Sequence, residues 1–191
     1  MYRIHSLMEK FISMRKIFIY LFIIQITTVI GQNIEFEIEK FQEKKKEFLE
    51  AEVAIKMGDD LFATEDPDYD KIYEAYMLAY AFNSNSAVLN YKIGKAYLYD
   101  ATPNKALEYL LRALELNKNV FDDIQLLIGQ SYYLLLKIDE ALEYYTKYKK
   151  QFLIDKTSPH YVMAERKIKE IQRLKKMMEN SVRVQIENVG P

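Results

Sequence analysis

Through the middle of the chain, apolar residues recur at the three- and four-residue spacing of one helical face, in successive blocks. The clearest block lies near the C-terminus, where Tyr161, Ala164, Ile168, Ile171 and Leu174 form one stripe. Arg166, Lys167, Lys169 and Arg173 fall between them, and Lys175 and Lys176 follow. Ser158-Pro159 stands in front, a capping hydroxyl followed by the residue pre-set for the first helical position, which predicts a helix from about His160 to Met178. Its basic face reads as a solvated surface or as a contact for acidic partners. Thr102-Pro103 and Asp139-Glu140 mark two further helix starts. Upstream, Phe41, Phe48 and Leu49 among Glu43, Lys44, Lys45, Lys46 and Glu47 predict a helix leading into the blocks. Two segments break the pattern. Ile17 to Ile30 is an apolar run interrupted only by Gln25, Thr27 and Thr28, and Val182, Val184 and Ile186 alternate with polar residues at the two-residue period of a strand.

The blocks repeat. Gly58, Gly94 and Gly129 are separated by 36 and 35 residues, each inside a helical pattern. A helix-interior glycine costs about 1 kcal/mol relative to alanine, so three in step call for a packing reason. A second signal keeps the same period: Ala106 and Ala141 each follow a glycine by twelve residues, and Lys105-Ala106-Leu107-Glu108-Tyr109-Leu110 returns as Glu140-Ala141-Leu142-Glu143-Tyr144-Tyr145. Small residues at these points let two antiparallel helices approach while Tyr and Leu fill the space around them.

These residues resemble the tetratricopeptide (TPR) family, whose two-helix repeat of about 34 residues carries small residues at its eighth and twentieth positions and an aromatic at the eleventh. The middle repeat reads Ile93-Gly94, Tyr97, Ala106, Leu110 and Ala113, and the last reads Ile128-Gly129, Tyr132, Ala141, Tyr145 and Tyr148. The first reads Met57-Gly58, Leu61, Ile72, Tyr76 and Ala79, with about two extra residues in the loop holding Asp66-Pro67-Asp68. Leu116-Asn117-Lys118-Asn119 lacks the proline that commonly closes a repeat. The resemblance implies an all-α solenoid of helical hairpins over 32–155, with repeats at 51–86, 87–121 and 122–155 and a capping helix over 156–180. It also implies a concave face lined by the first helix of each repeat: Ile55, Asp59 and Phe62, then Tyr91, Lys95, Leu98 and Tyr99, then Leu126, Gln130 and Tyr133. Such a groove holds a protein partner without cofactor or metal. The Lys/Asn clamp with which some TPR proteins grip an acidic C-terminus is not reproduced, since Tyr91 replaces its first basic residue, and this disfavours a chaperone-tail receptor.

The ends of the chain point outside the cytoplasm. Met14-Arg15-Lys16, the apolar run and Gly31 have the form of a secretory signal peptide over 1–31, cleaved to leave Gln32 at the front. The run is shorter than the roughly 20 residues a membrane span needs, and an uncleaved anchor is the other reading. The alternating segment 181–191 predicts a short terminal β-strand, the start of a β-rich domain that is missing here. A repeat array followed by a basic helix and Val182-Arg183-Val184-Gln185-Ile186-Glu187-Asn188-Val189-Gly190-Pro191 resembles large exported Bacteroidetes proteins. In those, repeats precede a WD40-like β-propeller and an OmpA-like peptidoglycan-binding domain, some of them in gliding or type IX secretion machinery. That resemblance implies a scaffold of the periplasm, associated with the outer membrane. A glycan-binding outer-membrane TPR protein and a membrane-anchored TPR sensor or adaptor are the alternatives.

Composition removes other classes. The formal net charge is −1, and −4 after Gly31, which offers no footprint for nucleic acid. With no Cys and two widely separated His, disulfides, thiolate chemistry and His- or Cys-rich metal sites have no material. The glycines are isolated, so no phosphate loop can be assembled. Asp59-Asp60 and Asp122-Asp123 are expected near helix starts as complements to the helix dipole. Asp66-Pro67-Asp68-Tyr69-Asp70 lacks the glycine and distal Glu of a calcium loop and reads as an acidic turn. No catalytic constellation emerges.

Overall fold

Seven α-helices follow one another in a computed structural model that describes residues 32–179: α1 (Lys45–Phe62), α2 (Tyr69–Phe82), α3 (Ala87–Tyr99), α4 (Pro103–Leu116), α5 (Ile124–Leu134), α6 (Ile138–Gln151) and α7 (Pro159–Glu179). A 3₁₀ turn, Ile38–Lys44, leads into α1 and is kinked at Phe41. The described residues contain no strand; the expected signal segment and the alternating Val182–Ile186 lie outside them. Residues 34–179 pack as one unit. Its helices pair as α1 with α2, α3 with α4 and α5 with α6. Each hairpin stacks on the next, and α7 closes the series against α6.

The glycines sit where two helices of a hairpin touch. A Cβ on Gly94 would stand 2.7 Å from Leu110 Cγ and 3.0 Å from the Leu110 backbone nitrogen, so α3 and α4 meet there almost backbone to backbone. A Cβ on Gly58 would overlap the ring of Tyr76. Gly129 is looser, with Tyr145 Cδ2 at 3.3 Å. Around these contacts Ile72, Tyr76, Leu89, Ile93, Leu110, Ile124 and Ile128 are buried in one core, and Ile138, Ala141, Tyr145 and Ile171 form a second beneath α7.

Helix ends follow local chemistry. Ser86 Oγ accepts from the Leu89 amide at 3.0 Å and starts α3; Asp68 caps α2 through the Lys71 amide; Ser158 caps α7 through the Tyr161 amide. Thr102 stands at the N-cap of α4, with Pro103 in the first turn as expected, although its hydroxyl turns back to Asp100. Helix α6 starts at Ile138, so Asp139 falls inside its first turn rather than capping it. The first helix of each later hairpin ends on a left-handed residue, Ala101 (φ 53°) after α3 and Leu136 (φ 58°) after α5. Thr102 N–H bonds back to Tyr97 C=O at 2.8 Å, and Lys137 N–H to Tyr132 C=O at 2.9 Å, the same C-terminal closure in both repeats.

A strap precedes the array. Ile34 N–H donates to Asn85 C=O at 2.9 Å, and Asn83 Nδ2 donates to Ile34 C=O at 2.6 Å. The Glu35 carboxylate accepts from Ser86 Oγ and from the Val88 amide, adding a second cap to α3 from 51 residues upstream. Phe36 packs with Phe41, Phe48 and Phe82.

Candidate functional groove

Between α1 and α3, and under the loop before α5, lies an open cleft of about 460 Å³. Asp59 and Phe62 enter it from α1, Tyr91, Lys92 and Lys95 from α3, Phe121, Asp122 and Asp123 from the loop, and Tyr76 forms part of its floor. Two hydrogen-bonded pairs organise it. Tyr76 Oη donates to Asp59 Oδ1 at 2.8 Å, while Lys92 Nζ donates to the other oxygen of the same carboxylate. Tyr91 Oη sits against both Asp123 oxygens, at 2.8 and 2.9 Å. Burial, reinforced by these carboxylates, pushes the phenols of Tyr76 and Tyr91 far above the ordinary tyrosine range. They therefore stay protonated and donate to the carboxylates that hold the cleft wall. Lys95 Nζ lies 5.7 Å from the Tyr91 ring centroid.

Four of the residues expected on the concave face thus share one cleft: Asp59, Phe62, Tyr91 and Lys95. Tyr99 adjoins it, 61 % exposed and edge-on to Phe62 at 5.6 Å. Two expected groove residues turn out to be mainly structural. Tyr91 and Leu98 are each 5 % exposed and belong to the core, because packing of the hairpins on either side closes over them. Tyr91 reaches the cleft only with its ring edge and hydroxyl pair. Leu126 packs into the second core, Gln130 is exposed on α5, and Tyr133 lies toward α7 with Lys167 Nζ 5.9 Å from its ring. Ile55 lines the adjoining hollow nearer the strap, beside Glu35 and Phe36.

Of the two acidic pairs expected near helix starts, only one precedes a helix. Asp59-Asp60 lie in the last turn of α1, where the dipole disfavours a negative charge, and are held there by Lys92, Tyr76 and Lys56. Asp122-Asp123 do precede α5, but Asp123 is committed to Tyr91 rather than to capping. Lys92 and Phe121 carry no signal in the sequence, and Asp122 and Asp123 signal only a helix start, because the four come together only when consecutive hairpins stack. The acidic turn after α1 caps α2 through Asp68, whose carboxyl is held below its usual range by its bonds to Lys71. Among the described residues no cluster could hold a metal ion, and no helix is long and apolar enough to cross a membrane.

No protein-family profile matches the chain, and no curated protein does. Solved structures do match. One is the second TPR domain of human RPAP3, determined by NMR in complex with the HSP70 peptide SGPTIEEVD, which is 18 % identical with a TM-score of 0.54. The match covers 66 % of this chain and 98 % of that domain. Together with the three hairpins, their glycine contacts and the helix closure shared by the last two, this gives the chain a tetratricopeptide-repeat-like helical fold.

Proposed function

We propose that this chain is a non-catalytic protein-binding module that holds a segment of a partner protein along the cleft between α1, α3 and the loop before α5. The observation that carries the reading is the cleft itself. Its wall is pre-set by the Tyr76–Asp59–Lys92 and Tyr91–Asp123 bonds, while Phe62, Phe121 and Tyr99 offer apolar contact area beside them. Rigid aromatic rings lose little entropy on contact, which suits recognition. The RPAP3 domain of the same fold holds a peptide, which supports the mode of binding. That peptide has three acidic residues among its last four. The cleft here sets three aspartates against two lysines, so the fitting partner is an apolar segment carrying a basic residue toward Asp122.

The leader-like 1–31 and the tail's likeness to exported envelope proteins support placing this module in the periplasm, in an outer-membrane-associated scaffold, as the N-terminal part of a longer propeller and OmpA-like protein. A role beside type IX secretion or gliding machinery rests on the same likeness.

A photo-cross-linking amino acid at Tyr99 or Gln130, compared with one at the exposed α2 position Leu78, tests the groove in the cell. Tyr99 and Gln130 should cross-link to one defined partner segment, identified by mass spectrometry, and Leu78 should not. Equal yields from all three positions would end the groove reading. The mature N-terminus tests export independently: Gln32 supports it, and a retained Met1 or Met14 counts against it.

A further inference from the structure

Charge is divided along the array. Residues 34–70, which make the strap, α1 and the loop after it, hold 13 acidic and 5 basic side chains, a net of −8. Residues 144–179, the end of α6 and all of α7, hold 10 basic and 4 acidic, a net of +6. The stretch between them carries 9 acidic and 7 basic, only −2. The two terminal helices of the stack, α1 and α7, therefore lie in regions of opposite sign.

Each terminal helix also leaves a face that no other described helix covers, that of α7 lining an open hollow of about 660 Å³ whose edge is Tyr133 of α5. On α1, Leu49, Val53 and Met57 recur every four residues and are 46, 63 and 55 % exposed. They point away from Ala51, Ala54 and Gly58, which face the core. On α7, Val162, Arg166, Lys169, Arg173 and Met177 make one stripe opposite the buried Ala164 and Ile171, with Val162 53 % and Met177 70 % exposed. The charges in the α1 stripe are neutralised within the helix, as Lys46–Glu50 and Lys56–Asp60. On α7, Glu165 is taken by Lys149 and Lys169, and Glu170 by Lys167, while Arg166 and Arg173 have no carboxylate partner among the described residues.

From this we infer that the chain binds a second copy of itself end to end, the α7 face of one copy docking on the α1 face of the next. Val162 and Met177 meet the Leu49–Val53–Met57 stripe, and Arg166 and Arg173 are drawn to the acidic N-terminal end. The apolar stripe on α1 is about 12 Å long at 1.5 Å per residue, within the roughly 22 Å from Val162 to Met177. Two different patches make the contact heterologous, so it leaves a free α7 and a free α1 at the ends and propagates unless a ring closes. Its electrostatic part acts at close range and weakens with salt.

Sedimentation velocity on the purified chain tests this, with its N-terminus read by mass spectrometry. Raising the protein concentration should raise the average mass. Moving from about 0.1 M to about 1 M salt, where the Debye length falls from about 10 to about 3 Å, should weaken association at least about tenfold. Two double variants identify the faces: Val53→Lys with Met57→Lys on α1, and Arg166→Glu with Arg173→Glu on α7. All four positions are exposed, and circular dichroism checks folding. Each double variant alone should stay monomeric, and an equimolar mixture should form one-to-one dimers and stop there. A parent chain that stays monomeric at millimolar concentration overturns the inference. So does association that both variants leave unchanged, the result if residues 17–30 drive it, or an α7 variant that still self-associates, the result of an α1-to-α1 contact. The parent's salt response does not depend on either variant folding.

Discussion

The ring of Tyr76 occupies the space a side chain at Gly58 would need, and its hydroxyl reaches past that glycine to Asp59 at 2.8 Å. One tyrosine therefore both packs the first hairpin and fixes a carboxylate of the cleft. Gly94 and Gly129 repeat the packing half of the arrangement with different tightness, and that difference can be tested.

Replacing Gly94 by Ala should destabilise the fold by about 1–3 kcal/mol, the usual cost of forcing a methyl into a filled core, because a backbone atom cannot yield. Gly129→Ala meets a tight contact, Tyr145 Cδ2 at 3.3 Å and Tyr144 Cβ at 3.4 Å, which a shift of a few tenths of an ångström relieves. The roughly 1 kcal/mol of helix propensity gained over glycine offsets that shift, so this variant should cost clearly less than Gly94→Ala. Urea unfolding of the two variants decides; equal effects would remove the packing account of the glycine period.

At Leu136 a β-carbon is held in the left-handed region, which costs an L-residue roughly 1–2 kcal/mol. The side chain is 73 % exposed, so little burial is lost on removing it. Leu136→Gly should raise stability by up to about 1 kcal/mol, after the greater entropy glycine loses on folding. A lower melting temperature in calorimetry would mean that Leu136 packs more than its exposure indicates.

Glu35→Ala removes the carboxylate that accepts from Ser86 and Val88, while Ser86 still caps α3 through Leu89. Loss of one cap from a doubly capped helix should cost about 1 kcal/mol. The signature is local: hydrogen exchange should quicken at Val88 and at Ile34, with little change in α5 or α6. Unchanged exchange at Val88 would show that the strap does not hold that helix end.

High pH should unfold the protein. Tyr73, Tyr76 and Tyr91 are pushed far above the tyrosine range by burial and by carboxylate partners, and burial pushes Tyr145 up to about 12. A raised folded-state value means the folded chain keeps its phenolic protons where the unfolded chain loses them. The stability these groups contribute is complete below about pH 10 and falls as pH rises through and above it. Denaturant midpoints measured from pH 8 to 12 should drop beyond 10, and the Tyr76→Phe and Tyr91→Phe variants should drop less steeply. A flat parent profile would contradict the burial of these hydroxyls.

Much of the hairpin stack could be read from spacing. The glycine period, the alanines twelve residues later, and Ser158-Pro159 are local or near-local signals, and each matches a contact or cap in the structure. The groove was legible only in outline. Asp59, Phe62 and Lys95 follow from repeat position, but burial of Leu98 and Tyr91 depends on neighbouring hairpins, which no single repeat records. Helix α1 begins at Lys45, so the expected leader helix and the first repeat helix are one element after a 3₁₀ turn.

What the sequence determines by itself is periodicity: which residues are small, which are large, and how often they return, because helical geometry turns spacing directly into a face. What the tertiary structure decides is company. Lys92 meets Asp59 across 33 residues and Tyr91 meets Asp123 across 32. Glu35 reaches α3 from outside the repeats. Such pairs form only when separate hairpins stack, since the side chains that complete each one are brought within reach by the packing of helices far apart in the chain.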